Sequence, residues 1–85
     1  MNIKAKVYKA FSMPVEVAGT TKITIEGNFK IFIESYKGLL EYEKDKIRIK
    51  TAEREISVSG SELEIKTLTD EDILIEGRIA GVCFC

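Results

Sequence analysis

The stretch Thr21-Lys22-Ile23-Thr24-Ile25-Glu26-Gly27-Asn28-Phe29-Lys30-Ile31-Phe32-Ile33-Glu34 decides the fold. Ile23 and Ile25 alternate with Lys22, Thr24 and Glu26, which puts the apolar residues on one face of an extended strand. Phe29, Ile31 and Ile33 follow after Gly27-Asn28, a pair that tolerates positive φ and so reads as a tight hairpin turn. The same period continues outward. Leu40 and Tyr42 are expected to face Ile47 and Ile49 across the charged loop Glu43-Lys44-Asp45-Lys46. Ile56 and Val58 are expected to end at Ser59-Gly60-Ser61, and Leu63 and Ile65 to run to Asp70-Glu71-Asp72. Ile73 and Ile75 reach Glu76-Gly77-Arg78, and Ile79 to Cys85 closes the chain. This spacing predicts an all-β protein, a small antiparallel β-sandwich-like domain of about eight short strands.

Composition agrees. The 85 residues allow one small domain, and twelve Ile with five Val against five Leu favour pleated sheets. Thirteen basic against fourteen acidic residues leave a net charge of −1, so no global field marks a nucleic-acid binder. The chain has no His, which excludes triad hydrolases and His-containing zinc sites. Mixed charge at Lys22, Glu26, Lys46, Arg48, Lys50, Glu62 and Glu64 describes solvated strand faces. Two segments are apolar on both faces: Phe32 between Ile31 and Ile33, and Ile79-Ala80-Gly81-Val82. Two coverings stay open for them, the protein's own fold, including an N-terminal helix, or an oligomer contact.

Residues 1–13 differ in character. Lys4, Lys6 and Lys9 occur without an acid, whereas the chain from Val15 on holds ten basic and fourteen acidic residues. Ile3, Val7, Ala10 and Phe11 share one helical face, and Pro14 ends that pattern. The expectation is a basic amphipathic leader, a short N-terminal helix or flexible arm over residues 1–13, before a single β domain over 14–85. It would cover the sheet, dock on a partner or lie on an anionic membrane. Neither a signal peptide nor a membrane span is expected, since the longest apolar run, Ile79 to Cys85, falls far short of the ~20 residues a span requires.

No constellation of side chains reads as catalytic. Asp70-Glu71-Asp72 lacks the alternating oxygen spacing of a calcium loop, and both it and Asp45 read as solvated turns. Phe29, Phe32, Tyr36 and Tyr42 lie near Lys30 and Lys37, but Phe29 and Tyr42 share the parity of the core isoleucines and are expected in the core. Cys83 and Cys85 are too few for a structural zinc site and too close in sequence for a useful intrachain bridge. They are expected as buried or half-buried reduced thiols in an intracellular protein, with intermolecular metal or redox chemistry as the alternative, and the prenylation pattern fails. Neither cofactor nor metal is expected.

A resemblance adds what composition cannot. Met13-Pro14-Val15-Glu16-Val17, the Ile23 to Asn28 hairpin, Ile33 to Leu40, Lys46 to Thr51, Glu62-Leu63-Glu64-Ile65 and Glu71 to Gly77 follow in the order and spacing of the YabP/YqfC family of small sporulation proteins. The chain resembles the YqfC branch more closely. Ser35-Tyr36 stands where members often have Asn-His, and Thr20-Thr21 where Leu-Pro is common. The resemblance implies a non-enzymatic assembly or adaptor domain in spore envelope development, made in the mother cell of a spore-forming bacterium. It would be cytoplasmic, peripheral at the forespore membrane, and would contact a sporulation membrane protein of the YqfD type. Lys4, Lys6, Lys9, Phe11, Phe32 and Tyr36 are the expected membrane or partner contacts. A homo-oligomer through a sheet edge is a further expectation, and a membrane-surface module using the basic leader is the alternative function.

Overall fold

The computed structural model describes residues 20–85. Six strands follow one another: β1 (Lys22–Glu26), β2 (Lys30–Glu34), β3 (Gly38–Tyr42), β4 (Lys46–Lys50), β5 (Glu55–Leu68) and β6 (Asp72–Phe84). They form one antiparallel sheet in the order β1-β2-β6-β5-β4-β3. The expected N-terminal helix lies outside the described residues.

Six strands replace the expected eight because β5 and β6 are long, at 14 and 13 residues. Ser59-Gly60-Ser61 and Glu76-Gly77-Arg78 do not end strands. They are sites where the β5–β6 ladder slips, between Ser59 and Gly60 and between Ser61 and Glu64, with a third slip between Ile65 and Thr67. Each slip is a β-bulge, which bends the strand and raises its twist. Glycine serves turns and bulges for the same reason, so the residue type alone does not separate them.

The bend folds the sheet into two four-stranded layers that share the β5–β6 hairpin. One layer holds β1, β2, the first half of β6 and the second half of β5. The other holds β3, β4, the first half of β5 and the second half of β6. Cross-strand register sets four inward-facing rungs. They are Ile25/Ile31/Ile75/Ile65 and Ile23/Ile33/Ile73/Leu68 in one layer, and Tyr42/Ile47/Val58/Val82 and Leu39/Ile49/Ile56/Phe84 in the other. In every rung the two central residues are fully buried, and those eight side chains with Leu63 make a single core cluster. Edge members are far more open, as with Ile25 at 51% and Phe84 at 56% exposed.

This arrangement corrects several placements. Tyr42 has the inward parity expected of it but sits on an edge strand, exposed rather than buried. Phe29 lies in the Gly27–Phe29 turn, exposed, with the Lys30 ammonium 5.9 Å from its ring centre. A bulge in β3 leaves Leu40 unpaired, so Leu39 rather than Leu40 joins the rung of Ile49. Outward faces carry the expected mixed charge: Arg48 contacts Glu55 at 2.8 Å and Glu41 at 3.4 Å, and Lys30 lies 3.8 Å from Glu26.

Candidate partner-binding surface

The two lateral sides of the sandwich differ. Where the β3–β4 turn and Tyr42 meet β5, two main-chain bonds and one to a side chain hold them together. The Leu63 amide donates to Lys44 O at 2.8 Å, the Gly60 amide to Asp45 O at 3.1 Å, and the Ile65 amide to the Tyr42 hydroxyl oxygen at 2.9 Å. On the other side, β1 faces the second half of β6. There, among the described residues, the edge of β6 from Ala80 to Phe84 that faces away from β5 has no strand partner.

A cleft of about 420 Å³ opens on that second side, between Thr20, Thr21, Ile23, Thr51, Glu53, Arg54, Ile56 and Phe84. Its size falls within the ~300–1,000 Å³ typical of ligand pockets. Half-buried Ile23 and exposed Phe84 form its apolar walls as edge members of their rungs, and the fully buried Ile56 closes its floor. Polar groups ring it. The Thr21 amide donates to Glu53 Oε2 at 3.4 Å across the mouth. The loop carrying Glu53 and Arg54 is held by Thr51, a buried polar residue whose hydroxyl donates to Arg54 O and accepts from the Arg54 amide at 3.0 Å. The cleft thus offers apolar contact at its floor and polar groups at its mouth.

The Thr21 side-chain hydrogen bond holds the Glu53 carboxyl below its ordinary pKa, with the Thr21 amide adding to the effect. A depressed carboxylate contributes to the fold above its unfolded pKa, and the contribution is lost as pH falls through the folded value. Glu53 is fully exposed, so water screens the effect on stability. The titration itself is the readout: by carboxyl NMR, Glu53 is expected to titrate below an ordinary glutamate, and Thr21→Val to raise its midpoint. An unchanged midpoint in that variant would contradict the Thr21–Glu53 contact.

Of the expected contact residues, Phe32 is half-buried on the outer face between Thr24 of β1 and Leu74 of β6. Tyr36 packs against the core, and its hydroxyl donates to Thr69 O at 2.5 Å, so its polar end is taken up within the domain. Lys4, Lys6, Lys9 and Phe11 lie outside the described residues. Ile79 and Val82 pack on the core while Ala80 is exposed, so the second apolar segment is an edge strand rather than a central one. Asp70 and Glu71 are exposed in the β5–β6 turn, where the Thr69 hydroxyl oxygen accepts from the Glu71 and Asp72 amides.

Cys83 and Cys85 are both exposed, contrary to the expectation of buried or half-buried thiols. Phe84 takes the inward position at this end of β6, which turns both neighbours outward. Their sulfurs lie 3.6 Å apart, and the bond to Cys83 pushes the Cys85 thiol above its ordinary pKa. Sequence reasoning missed Ile23, Ile56 and Phe84 as a surface. Their inward parity was readable, but their place at the open side was not.

Among the described residues no helix is long and apolar enough to cross a membrane, and no three Cys, Asp or Glu side chains converge as a metal set. The chain is similar to known proteins. The model of the YabP family matches residues 17–85. The uncharacterized protein YqfC of Bacillus subtilis (strain 168) is 32% identical over 78 residues, covering 91% of this chain and 84% of that protein.

Proposed function

The chain belongs to the YabP family, which is associated with sporulation, and from that premise we propose that it is a non-enzymatic adaptor domain in spore envelope development. It acts by receiving an extended segment of a membrane-associated partner. The observation that carries this reading is the open side of the sandwich. There an apolar cleft lined by Ile23, Ile56 and Phe84 lies beside a strand edge, Ala80 to Phe84, that has no strand partner among the described residues. A free edge offers main-chain hydrogen bonds to any extended chain, and an adjoining apolar pocket selects which chain. The opposite side also has a cleft, of about 490 Å³, but Glu43, Lys44, Glu62 and Glu64 line it beside Tyr42 and Leu63, so it is charged where the first is apolar.

Phe84→Asp tests the proposal. Phe84 is 56% exposed, so the substitution leaves the core intact while placing a charge where an apolar anchor would dock. Loss of one anchor is expected to weaken capture by about 2 kcal/mol or more, roughly thirtyfold. The tagged full chain is expected to recover a membrane protein from detergent extracts of sporulating cells, and the variant to lose it. Equal recovery by both forms, or recovery of none, would overturn the adaptor role. Salt-sensitive binding to anionic vesicles that disappears when Lys4, Lys6 and Lys9 are replaced by Ala, without any protein captured, would instead select the membrane-surface function.

A further inference from the structure

We propose that Cys83 and Cys85 form a dithiolate clamp for a thiophilic divalent cation of the zinc and cadmium type, shared between two copies of the chain. Cys83 is on β6 and Cys85 directly follows its last residue, bonded to Glu55, so both side chains leave the same outward face while Phe84 between them turns inward. Their sulfurs stand 3.6 Å apart. Two sulfurs each about 2.3 Å from a tetrahedral zinc ion are separated by roughly 3.8 Å, so the pair already has the bite of a chelate. Both are exposed, and an ion reaches them without any opening of the fold.

The extended backbone also favours the metal over oxidation. Strand residues two apart sit near the upper Cα separation that a disulfide tolerates, so a bridge here would require the strand to buckle. A bound ion spans the same gap with no such distortion. The main chain of Cys85 is fixed by a reciprocal pair of bonds with Glu55, at 2.8 and 3.4 Å, which anchors the clamp to the sheet.

A second copy follows from the ligand count. Structural zinc takes four ligands, and among the described residues no third metal-binding side chain joins the pair. The nearby Glu55 carboxylate is engaged by Arg48 Nε at 2.8 Å, and Ser57, opposite Cys83, carries no charge. The same two cysteines from a second chain, related by a twofold axis through the ion, complete the tetrahedron. Each of the four thiols gives its proton to solvent as its sulfur bonds the ion, and nothing is oxidised or reduced.

Titration of the reduced full chain with Cd²⁺ alone provides the test, since a thiolate-to-cadmium charge-transfer band in the ultraviolet must come from cysteine and the chain has only these two cysteines. The band is expected to saturate at one ion per two chains, with a doubled mass by sedimentation. Cys83→Ser and Cys85→Ser, each checked for parental circular dichroism, are expected to weaken binding roughly 100-fold or more through loss of the chelate. Absence of the band, unchanged affinity in either serine variant, or a chain that stays monomeric at saturation would overturn the proposal.

Discussion

Gly60→Ala is expected to be among the most destabilising single substitutions in the protein, lowering the thermal midpoint by about 15 °C or more. A Cβ on Gly60 would fall inside the carbonyl oxygen of Arg78, and within 3.1 Å of Ile79 Cα. These are main-chain atoms of the paired strand, so no rotamer change relieves the clash. Gly77 sits on the other strand of the same bend. Its φ of +147° is one that side-chain-bearing residues rarely adopt, and a Cβ there would lie 2.6 Å from Glu62 O. The two glycines allow β5 and β6 to cross closely enough for the sheet to fold onto itself. Either alanine must unpair the bend or push the layers apart, at an expected cost of about 3–5 kcal/mol. A domain this small loses roughly 4–8 °C of Tm per kcal/mol, so the midpoint should fall by about 15 °C or more. Gly38 is the control. Nothing lies within 4 Å of a Cβ at Gly38, and Gly38→Ala is expected to stay within about 0.5 kcal/mol of the parent. Thermal melts of the three variants that coincide would refute the role of the bend.

Ile31→Ala and Ile25→Ala should differ by several kcal/mol although the two residues are directly paired. Ile31 and Ile25 are the same residue type, opposite each other in adjacent strands and on the same inward face. Ile31 is completely buried and belongs to the core, whereas Ile25 is 51% exposed. Truncating Ile31 removes its buried methyl groups and leaves a cavity closed in by neighbours that relax only partly, which costs about 3–4 kcal/mol. Truncating Ile25 opens space that water already reaches, and is expected to cost about 1 kcal/mol or less. In urea the first variant should shift its midpoint down by roughly 2 M at the slope usual for small proteins, and the second by well under 1 M. Equal shifts would mean that β1 is as enclosed as β2, and would remove the open side on which the proposed function rests.

The strands and their inward faces were legible in the sequence because a strand's side chains alternate whatever it pairs with. Ile23, Ile25, Ile31, Ile33, Ile47, Ile49, Ile56, Val58, Ile73 and Ile75 all lie on the inward face that their alternation predicted. The family was also legible, in the order of hairpin glycines and isoleucines along nearly the whole chain. What misled was any inference from parity to burial, as at Tyr42, and any reading of Ser-Gly-Ser or Glu-Gly-Arg as a turn. A glycine marks an unusual backbone without saying whether the chain reverses there or merely bends. The cleft had no local signature. Phe84 and Ile23 are some sixty residues apart, and each looks like an ordinary core position in its own segment.

The amino-acid sequence by itself therefore determined an antiparallel all-β domain, the inward face of each strand and the family, since these follow from a period of two and from an ordered pattern. Only the tertiary structure decided which strands are central and which are edges, where β5 and β6 bend, and which side of the sandwich stays open. Those outcomes depend on pairings between distant segments, and on whether the backbones at Gly60 and Gly77 approach closely enough to exclude a Cβ. Exposure of Cys83 and Cys85 is of the same kind: alternation puts both on one face, and the inward turn of Phe84 chooses the outer one.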